Sequence, residues 1–284
     1  MPLHPPYARR PWLALLMLCP SLALADTPAE LPDVEVTASV VEQPLPTTTR
    51  TDAETLERRQ IRSFDDLSRR AEPGVNYNRS NNSINIRGLD RDRVLTTIDG
   101  IRMPWLNDAV REVNGGLDSI DFQSLSSIDV VRGANSSQLG SGALGGALQL
   151  RTLSPDDLLG NDDNFAGLVK SDYDSADRSW GLNAALAGRI NDTAWLLQAG
   201  GRQGHELDSQ GNDNLLGTQR TTANPSDSEQ QSLLLKIQQK LAAGHRIGMT
   251  AELFERVEDM DSRINQGTAN YPRHYDTRET NERK

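Results

Sequence analysis

A glycine-rich segment carries the residue pattern of a phosphate-binding loop. Gly140, Gly142 and Gly145 satisfy G-x-G-x-x-G, whose glycines let the backbone approach the pyrophosphate of a dinucleotide. That chemistry needs a helix directly after the loop, because the helix N-terminus meets the phosphates. The next residues, 147–151, instead alternate as a strand does. We therefore expect no nucleotide site, and we expect the glycines to allow left-handed turns and close passage against a surrounding wall.

Three aspartates form a second cluster of candidate ligands. Asp172, Asp174 and Asp177 offer carboxylate oxygens, which Ca²⁺ prefers. Their spacing matches no rigid calcium loop, so a solvated acidic turn is the favoured interpretation and no metal site is predicted. The one cysteine, Cys19, lies in an apolar stretch at the N-terminus, and cysteine nucleophiles or cysteine zinc ligands are excluded elsewhere.

The composition limits the class of protein. The chain has 284 residues, and 40 acidic against 30 basic side chains give a formal charge of −10. An excess of acids argues against nucleic acid as the partner, because phosphate contacts need cations. After the N-terminal stretch, no apolar run approaches the roughly 18 residues of a membrane-spanning helix. Helical membrane proteins are excluded, whereas strands that alternate apolar and polar residues fit a hydrophilic average.

The N-terminus has the layout of a secretory signal. Two arginines precede the apolar residues 12–24, and Ala23 and Ala25 supply the small residues that a signal peptidase needs. We predict cleavage after Ala25, which makes residues 1–25 a signal peptide. Lipid attachment at Cys19 is the disfavoured alternative, since leucine rather than a small residue precedes it.

Residues 26–44 have the composition of a tether. Their prolines keep the chain extended and prevent a helix. One island of strand-forming character interrupts the tether, and it consists of Asp33, Val34, Glu35, Val36, Thr37 and Ala38. Two interpretations stand: a flexible tail that contains two valines, or a strand donated to the exposed sheet edge of a partner.

Residues 45–155 carry a mixed α/β pattern. A capping box of Thr51 and Glu54 predicts a helix over residues 52–60, and Ser63 predicts the start of a second helix over residues 64–71. Short strands are predicted at residues 74–77, 83–87, 93–98, 101–103, 128–132 and 147–151, with a short helix near residues 124–127. Residues 104–118 have no periodicity and are predicted to be a long loop.

Two blocks of sequence resemble a known family. Residues 86–102 (IRGLDRDRVLTTIDGIR) and residues 130–152 (VVRGANSSQLGSGALGGALQLRT) resemble the two signature blocks of the plug domain of TonB-dependent outer-membrane receptors. Their order and spacing match the family, and the resemblance covers most of residues 33–152. It implies that residues 45–155 form a plug, and that residues 33–38 are the TonB box offered to the periplasmic partner TonB.

Arginine is frequent in the predicted plug, because residues 45–152 hold fourteen arginines and no lysine. Codon bias accounts for part of this, since arginine far outnumbers lysine in the whole chain. Guanidinium groups also pair bidentately with carboxylates, which suits a domain held reversibly inside a wall. By resemblance, Arg87, Arg93 and Arg132 are the positions that pair with glutamates on the barrel wall.

After residue 155 the pattern changes to alternation with a period of two. Apolar residues alternate with polar or small ones in five segments, at residues 165–173, 180–186, 195–199, 233–237 and 247–253. Such segments indicate membrane β-strands. The connections between them are short turns that alternate with one long hydrophilic connection at residues 205–227, which fits the two faces of an outer membrane. A soluble β-sandwich is the alternative, but it does not account for the plug.

The predicted fold class is an α+β plug domain followed, over residues 156–284, by the first strands of an antiparallel transmembrane β-barrel. The resemblance implies a barrel of roughly 22 strands, whereas about five are predicted, with residues 260–284 as a loop without a return strand. Five strands leave edges of unpaired backbone that hydrocarbon does not tolerate. We therefore expect the chain to be a fragment of a longer receptor.

The resemblance also implies a function. Such receptors lie in the Gram-negative outer membrane, bind a scarce ligand outside the cell, and release it through the barrel when TonB, driven by the inner-membrane proton gradient, pulls on its box. No bond is made or broken, so we expect no enzyme activity, no resident cofactor and no metal site. Residues 140–159 look most like those of haem and haemoglobin receptors, and a ferric-siderophore receptor of the same architecture is the alternative.

Ligand contacts are expected in two plug loops, residues 78–83 and 103–116. The candidates there are Arg79, Asn81, Met103, Trp105 and Asn107. The plug has no histidine, so an axial imidazole for haem iron has to come from the barrel loops. The histidines and tyrosines in the predicted extracellular loops are His205, His274, Tyr271 and Tyr275, and solvated residues without iron are their favoured interpretation.

Overall fold

The computed structural model describes residues 48–79, 81–108, 113–160, 163–267 and 276–284. The predicted signal peptide and the predicted TonB box lie outside these residues. The described chain up to residue 160 is termed the plug. Its strands are β1 (Thr48–Asp52), β2 (Val75–Asn78), β3 (Ser83–Ile86), β4 (Val94–Ile98), β5 (Ile101–Arg102), β6 (Leu106–Asp108), β7 (Val113–Gly115), β8 (Leu125–Arg132) and β9 (Gly146–Thr152). Its helices are α1 (Ala53–Arg58), α2 (Phe64–Arg70), α3 (Ser136–Leu139) and α4 (Pro155–Leu158).

The described residues from 163 onward form a single antiparallel sheet, termed the wall. Its strands are β10 (Phe165–Asp174), β11 (Ser179–Ile190), β12 (Thr193–His205), β13 (Ser226–Lys240), β14 (Arg246–Asp261) and β15 (Asp276–Arg283). Each strand pairs with the next along the chain. An α+β domain followed by up-and-down strands confirms the predicted fold class.

The plug is built on a five-stranded sheet in the order β1-β8-β9-β4-β5. Strands β4 and β9 run parallel, and the other neighbours are antiparallel. Alternate residues of β8 and β9 point into one core with α2, where Leu67, Ile128, Val130 and Leu148 are fully buried. Burial of such side chains stabilises the fold by about 1.5–3 kcal/mol each. Strand β1, at the sheet edge, contains no apolar residue.

Side-chain caps set the helix starts. Ser63 caps α2 as predicted, because its Oγ accepts the Asp66 backbone N–H at 3.1 Å. The predicted cap at Thr51 is wrong: Asp52 caps α1 by accepting the Thr55 N–H at 2.9 Å, and Thr51 belongs to β1. The polar strand β1 was missed because it has no alternating apolar residues. Among the described residues, no helix is both long and apolar enough to cross a membrane.

Residues 104–118 are more regular than predicted. The described part contains the two-stranded hairpin of β6 and β7, followed by a single 3₁₀ turn, Leu117–Ser119. Gly116 has a φ of +123°, a left-handed conformation that glycine adopts readily. Strands of three residues are too short to show a period of two, which is why the sequence predicted only a loop.

The wall strands alternate as predicted. Exposed residues of β10 and β11 occupy every second position, with large apolar side chains such as Val169 and Leu182 on the outer face. Two aromatic pairs flank this apolar face: the ring centroids of Phe165 and Trp195 lie 6.4 Å apart near one end, and Tyr173 is the register partner of Trp180 near the other. Eight residues of strand separate the two levels, about 26 Å, which matches the apolar band of a membrane barrel.

The connections differ in length between the two ends of the wall. Two residues join β11 to β12, and residues 241–245 join β13 to β14, whereas residues 206–225 join β12 to β13. The end that carries residues 206–225 is termed the outer end. This asymmetry confirms the predicted alternation of short turns and long loops.

The prediction that residues 260–284 form a loop is wrong for their last part. Strand β15 returns antiparallel to β14, so the described wall has six strands rather than five. It pairs only with Phe254–Asp261, beyond the last outward-facing leucine of β14, Leu253. Its sequence DTRETNER has no apolar alternation, and alternation is the signal on which strands were predicted.

Candidate functional site

A wide polar cleft separates the plug from the outer half of the wall. It has a volume of about 560 Å³, and most of its lining side chains are charged or polar. Plug residues on its surface include Arg79 and Asp118, and wall residues include Arg202, Arg256 and Glu258. A cleft of this size falls in the range of ligand sites, although such sites are usually more apolar.

Arg79 is held in place on the plug side of the cleft. Its Nη2 lies 2.6 Å from the Asp65 Oδ2 on α2, and about half of the Arg79 side chain is exposed. The paired guanidinium retains free N–H groups toward the cleft, which suits an anionic ligand group. Asn81, by contrast, accepts the Ser83 hydroxyl at 2.6 Å and does not line the cleft.

A chain of hydrogen bonds joins three plug residues beside Arg79. The Tyr77 hydroxyl donates to the Asn82 Oδ1 at 3.0 Å, and the Asn82 amide donates to the Asp118 Oδ2 at 2.5 Å. Burial raises the pKa of Asp118 to about 6; Arg256 of the wall opposes the rise, and Glu279 and Glu258 add to it. Burial also raises the pKa of Tyr77. Asp118 is therefore a plug carboxyl that titrates near neutral pH and faces wall charges.

The other predicted ligand residues lie apart from Arg79. Met103 and Trp105 line a second, narrow cavity of about 30 Å³ together with Gly116. That volume holds about one water molecule. Asn107 lies in β6, and its side chain is outside the described residues. The structure thus brings Met103 and Trp105 together but does not join them to Arg79 or Asn81, and their role in binding stays a prediction.

The predicted plug–barrel arginines have plug partners in the described chain. Arg132 Nη2 lies 2.6 Å from Glu72 Oε2, and Arg93 Nη2 lies 2.7 Å from Asp90 Oδ1. The guanidinium of Arg87 lies against Gly133. No described wall glutamate is paired with Arg93 or Arg132, so their pairing with barrel glutamates stays a prediction.

Glu72 lies at the centre of the contacts that hold β1. This carboxylate is 3% exposed and accepts the hydroxyls of Thr49 and Thr51 at 2.5 Å and 2.8 Å, besides Arg132. Arg132 itself donates to the Thr49 hydroxyl at 2.9 Å. Since β1 has no apolar side chain, these polar contacts and the ladder to β8 fix the first strand after the tether.

A buried ion cluster joins the plug to the wall near the outer end. Asp172 of β10 lies 3.4 Å from Arg62 of the plug, accepts the Gln123 amide at 3.2 Å, and pairs with Arg202 of β12. The interpretation of this aspartate as part of a solvated acidic turn is wrong, because its side chain is only 10% exposed. The residue is in the inward-facing phase of its strand, a signal that the sequence did contain. Among the described residues, no group of His, Cys, Asp or Glu could hold a metal ion.

A plug carboxylate contacts the wall at mid-height, and it was not among the predicted site residues. Asp121 Oδ2 accepts the Ser232 hydroxyl at 2.6 Å and the Gln198 amide at 3.4 Å. At the outer end, His205 Nδ1 lies 2.7 Å from the exposed Asp227 carboxylate. The other three predicted loop residues, His274, Tyr271 and Tyr275, lie outside the described residues.

Comparison with family models supports the plug assignment. The model of the TonB-dependent receptor plug domain matches residues 39–147. The structure is similar to the hemophore receptor HasR of Serratia marcescens, with a TM-score of 0.60 and 22% identity over 77% of this chain and 32% of that one. It is also similar to the ferric enterobactin receptor PfeA of Pseudomonas aeruginosa, with a TM-score of 0.54 and 17% identity over 77% of this chain and 33% of that one. At such identities the likeness concerns the fold alone.

Curated relatives match this chain at somewhat higher sequence identity. Hemoglobin-binding protein A of Haemophilus influenzae is 31% identical over 220 residues, which are 72% of this chain and 22% of the relative. Transferrin-binding protein A of Neisseria meningitidis serogroup B is 29% identical over 167 residues, which are 55% of this chain and 18% of the relative. The chain thus spans about a fifth of the length of the curated relatives it matches.

Proposed function

Because residues 39–147 match the family model of the TonB-dependent receptor plug domain, we propose that the chain is the N-terminal part of an outer-membrane receptor that takes up haem or the iron of a haemoprotein. The observation that carries this ligand is the match to haemoglobin-binding proteins, which continues past the plug into the wall. The transferrin-binding relatives match over a shorter stretch.

The proposed activity is energised transport with no covalent step. The ligand enters at the outer end, where the polar cleft lies between plug and wall. TonB engages the predicted box, residues 33–38, and the first element of the described chain is β1. Because β1 is fixed by polar contacts around Glu72 and by its ladder to β8 rather than by apolar packing, traction on the tether first loads hydrogen bonds and an ion pair.

One observation favours a second ligand class, ferric siderophores. The four histidines of the chain all lie outside residues 45–155, so no plug imidazole is available for haem iron. Arg79, one of the arginines that line the cleft, suits an anionic ferric chelate as well as the propionates of haem.

The deciding experiment titrates the whole receptor, in detergent, with haemin, haemoglobin and ferric enterobactin in separate runs. We expect a haem Soret shift or haemoglobin capture, and no saturable binding of the ferric catecholate. Saturable ferric catecholate binding without a Soret shift would overturn the haem proposal and support the alternative. His205→Ala should leave the Soret shift unchanged if His205 is a solvated loop residue.

Coupling to TonB is tested separately from binding. A proline cannot donate a ladder hydrogen bond, so Val36→Pro should abolish iron-limited growth on the ligand while leaving its affinity unchanged. Val41→Pro, outside the predicted box, is the matched control and should preserve growth. Growth of the Val36→Pro strain equal to that of the control would exclude residues 33–38 as the TonB box.

A further inference from the structure

A plug aspartate closes the end of the central plug strand. Asp99 lies in the turn between β4 and β5, where its φ is +49° and that of Gly100 is +83°. Its carboxylate accepts the Thr152 backbone N–H at 2.9 Å and the Thr152 hydroxyl at 2.6 Å. Thr152 is the last residue of β9, after which the chain passes toward the wall. The turn and the strand end are therefore one hydrogen-bonded unit.

A wall lysine completes this unit. Lys236 Nζ of β13 lies 2.8 Å from the Asp99 Oδ2 and donates to the Thr152 carbonyl at 3.2 Å. Its side chain is only 8% exposed. The ammonium therefore donates hydrogen bonds to two plug groups, one in the turn and one at the strand end.

The burial of Lys236 makes this contact sensitive to the position of the plug. Burying an ammonium costs free energy unless it is paired and hydrogen-bonded. The buried position of Lys236 is therefore favourable only when Asp99 and Thr152 accept its hydrogen bonds. A plug that shifted by one residue would leave a buried charge without partners. Apolar contact supports the same place: Leu153, directly after Thr152, packs with Leu196 and Leu234 of the wall.

The other base–acid pairs near this end of the wall are different. Asp156 of the plug pairs with Arg189 at 3.3 Å and with Arg246 at 3.2 Å, and the Asp156 side chain is 44% exposed. Exposed pairs of this kind contribute little, because water and salt screen them. Among the described ion pairs between plug and wall at this end, the Lys236 contact is thus more buried than the two pairs of Asp156.

We propose that Asp99, Thr152 and Lys236 form the seat of the plug, a buried contact that keeps the domain in place as the barrier against passive diffusion. The seat rests on the plug-and-wall architecture and not on the identity of the ligand. It makes Lys236 a positioning residue, whose loss unseats the plug without unfolding the wall.

The test measures passive leakage in cells that express the whole receptor. Lys236→Met should increase sensitivity to vancomycin, a hydrophilic antibiotic too large for ordinary pores. The variant removes the charged hydrogen bonds to Asp99 and to the Thr152 carbonyl, so the unseated fraction of plugs should rise about tenfold to a hundredfold. Lys240→Met is the matched control, since Lys240 lies exposed on the same strand. Heat-modifiable migration in gels verifies that the wall is folded in each variant.

A double variant distinguishes loss of the specific Asp99–Lys236 contact from a general loss of packing between plug and wall. Asp99→Asn together with Lys236→Met removes the carboxylate charge that Lys236→Met leaves without its cation, and the double variant should leak less than Lys236→Met alone. Equal leakage of Lys236→Met and Lys240→Met, or a double variant as leaky as Lys236→Met, overturns the proposal. If Lys236→Met does not assemble, Asp99→Asn alone is measured, and an unchanged barrier overturns the proposal. The assay uses no iron source, so a wrong ligand assignment leaves its outcome unaffected.

Discussion

The Nε of Arg62 in the plug lies 3.4 Å from the Oδ2 of Asp172 in the wall. The same carboxylate pairs with Arg202, so one negative charge lies between two guanidinium groups. The side chains of Arg62 and Asp172 are 18% and 10% exposed. Loss of the carboxylate leaves two positive charges facing each other with little water to screen them.

The first prediction concerns this ion cluster. Asp172→Asn should destabilise the docking of the plug by about 1–3 kcal/mol, because charged hydrogen bonds are lost and the two arginines repel. Arg62→Gln should cost less, since Asp172 keeps Arg202. The measurement is the urea concentration at which protease begins to cut the plug in the whole receptor.

Arg58→Gln is the control for this series. Arg58 pairs with Glu54 on the exposed face of α1, and such surface pairs contribute about 0.3–0.5 kcal/mol. An Asp172→Asn receptor as protease-resistant as the Arg58→Gln receptor would contradict the role given to the cluster.

The second prediction concerns pH. The pKa of Asp118 is raised in the folded state to about 6, from an ordinary value of 3.8, so folding favours the protonated carboxyl. The stabilisation is complete below the ordinary pKa and is lost as the pH rises through about 6. Asp118→Asn mimics the protonated form and should be more stable than wild type at neutral pH by about 1–3 kcal/mol.

Hydrogen exchange of the backbone around Leu117 measures this effect. The ratio of wild-type to Asp118→Asn exchange rates should increase between about pH 4 and pH 7, with its midpoint near the raised pKa. A ratio that does not change with pH would show that Asp118 titrates normally.

The third prediction concerns the strand next to the tether. Glu72→Gln weakens the contacts to Thr49, Thr51 and Arg132, so β1 should detach more often. Trypsin cleavage after Arg50, whose side chain is 54% exposed, reports that detachment because a paired strand does not fit a protease. We expect cleavage to accelerate by about tenfold to a hundredfold, as the loss of charged hydrogen bonds implies.

Glu54→Gln is the comparison for Glu72→Gln, since Glu54 is 81% exposed and supports only α1. The cleavage rate after Arg50 should stay near that of wild type in this variant. If Glu72→Gln were cut no faster than Glu54→Gln, the polar contacts would not be what fixes β1.

The fourth prediction concerns the glycine-rich block. A Cβ added at Gly146, where φ is +152°, would lie 2.2 Å from the Val131 carbonyl oxygen, so Gly146→Ala forces β8 and β9 apart. A Cβ at Gly140, where φ is +93°, meets no atom within 4 Å. Gly146→Ala should cost more than about 3 kcal/mol and Gly140→Ala about 1 kcal/mol, because only the latter involves backbone strain alone.

The protease-resistant plug fragment in membranes is the readout for both glycine variants. It should disappear in Gly146→Ala and persist in Gly140→Ala. Equal amounts in the two variants would mean that close approach of the backbone is not the reason for glycine at position 146.

The sequence predicted those features that depend on local periodicity. The cap at Ser63 and the alternation around Val169 depend on residues only a few positions apart in the chain, and the structure has both. The edge strand β1 and the returning strand β15 were missed because both are polar. Each is a strand because it pairs with a neighbouring strand, and its own sequence carries no alternating pattern.

The polar contacts of the interior depend on chain topology and were not predictable. Glu72 and Arg132 are 60 positions apart, and Lys236 is 137 positions from Asp99, so only the folded chain brings them together. One signal was available for Lys236: it occupies the inward-facing phase of β13, where a lone charge requires a partner.

The pairing of β15 with Phe254–Asp261 has a consequence for how the protein meets the outside. The large exposed apolar side chains of β14 end at Leu253, and the hydrogen-bonded ladder continues for eight residues beyond it, about 26 Å along the strand. The paired ends of β14 and β15 therefore extend beyond the lipid as an ordered polar segment of sheet, termed the collar. A particle that approaches the cleft touches this collar before it reaches lipid headgroups, so its first contacts are made with ordered backbone held clear of the membrane.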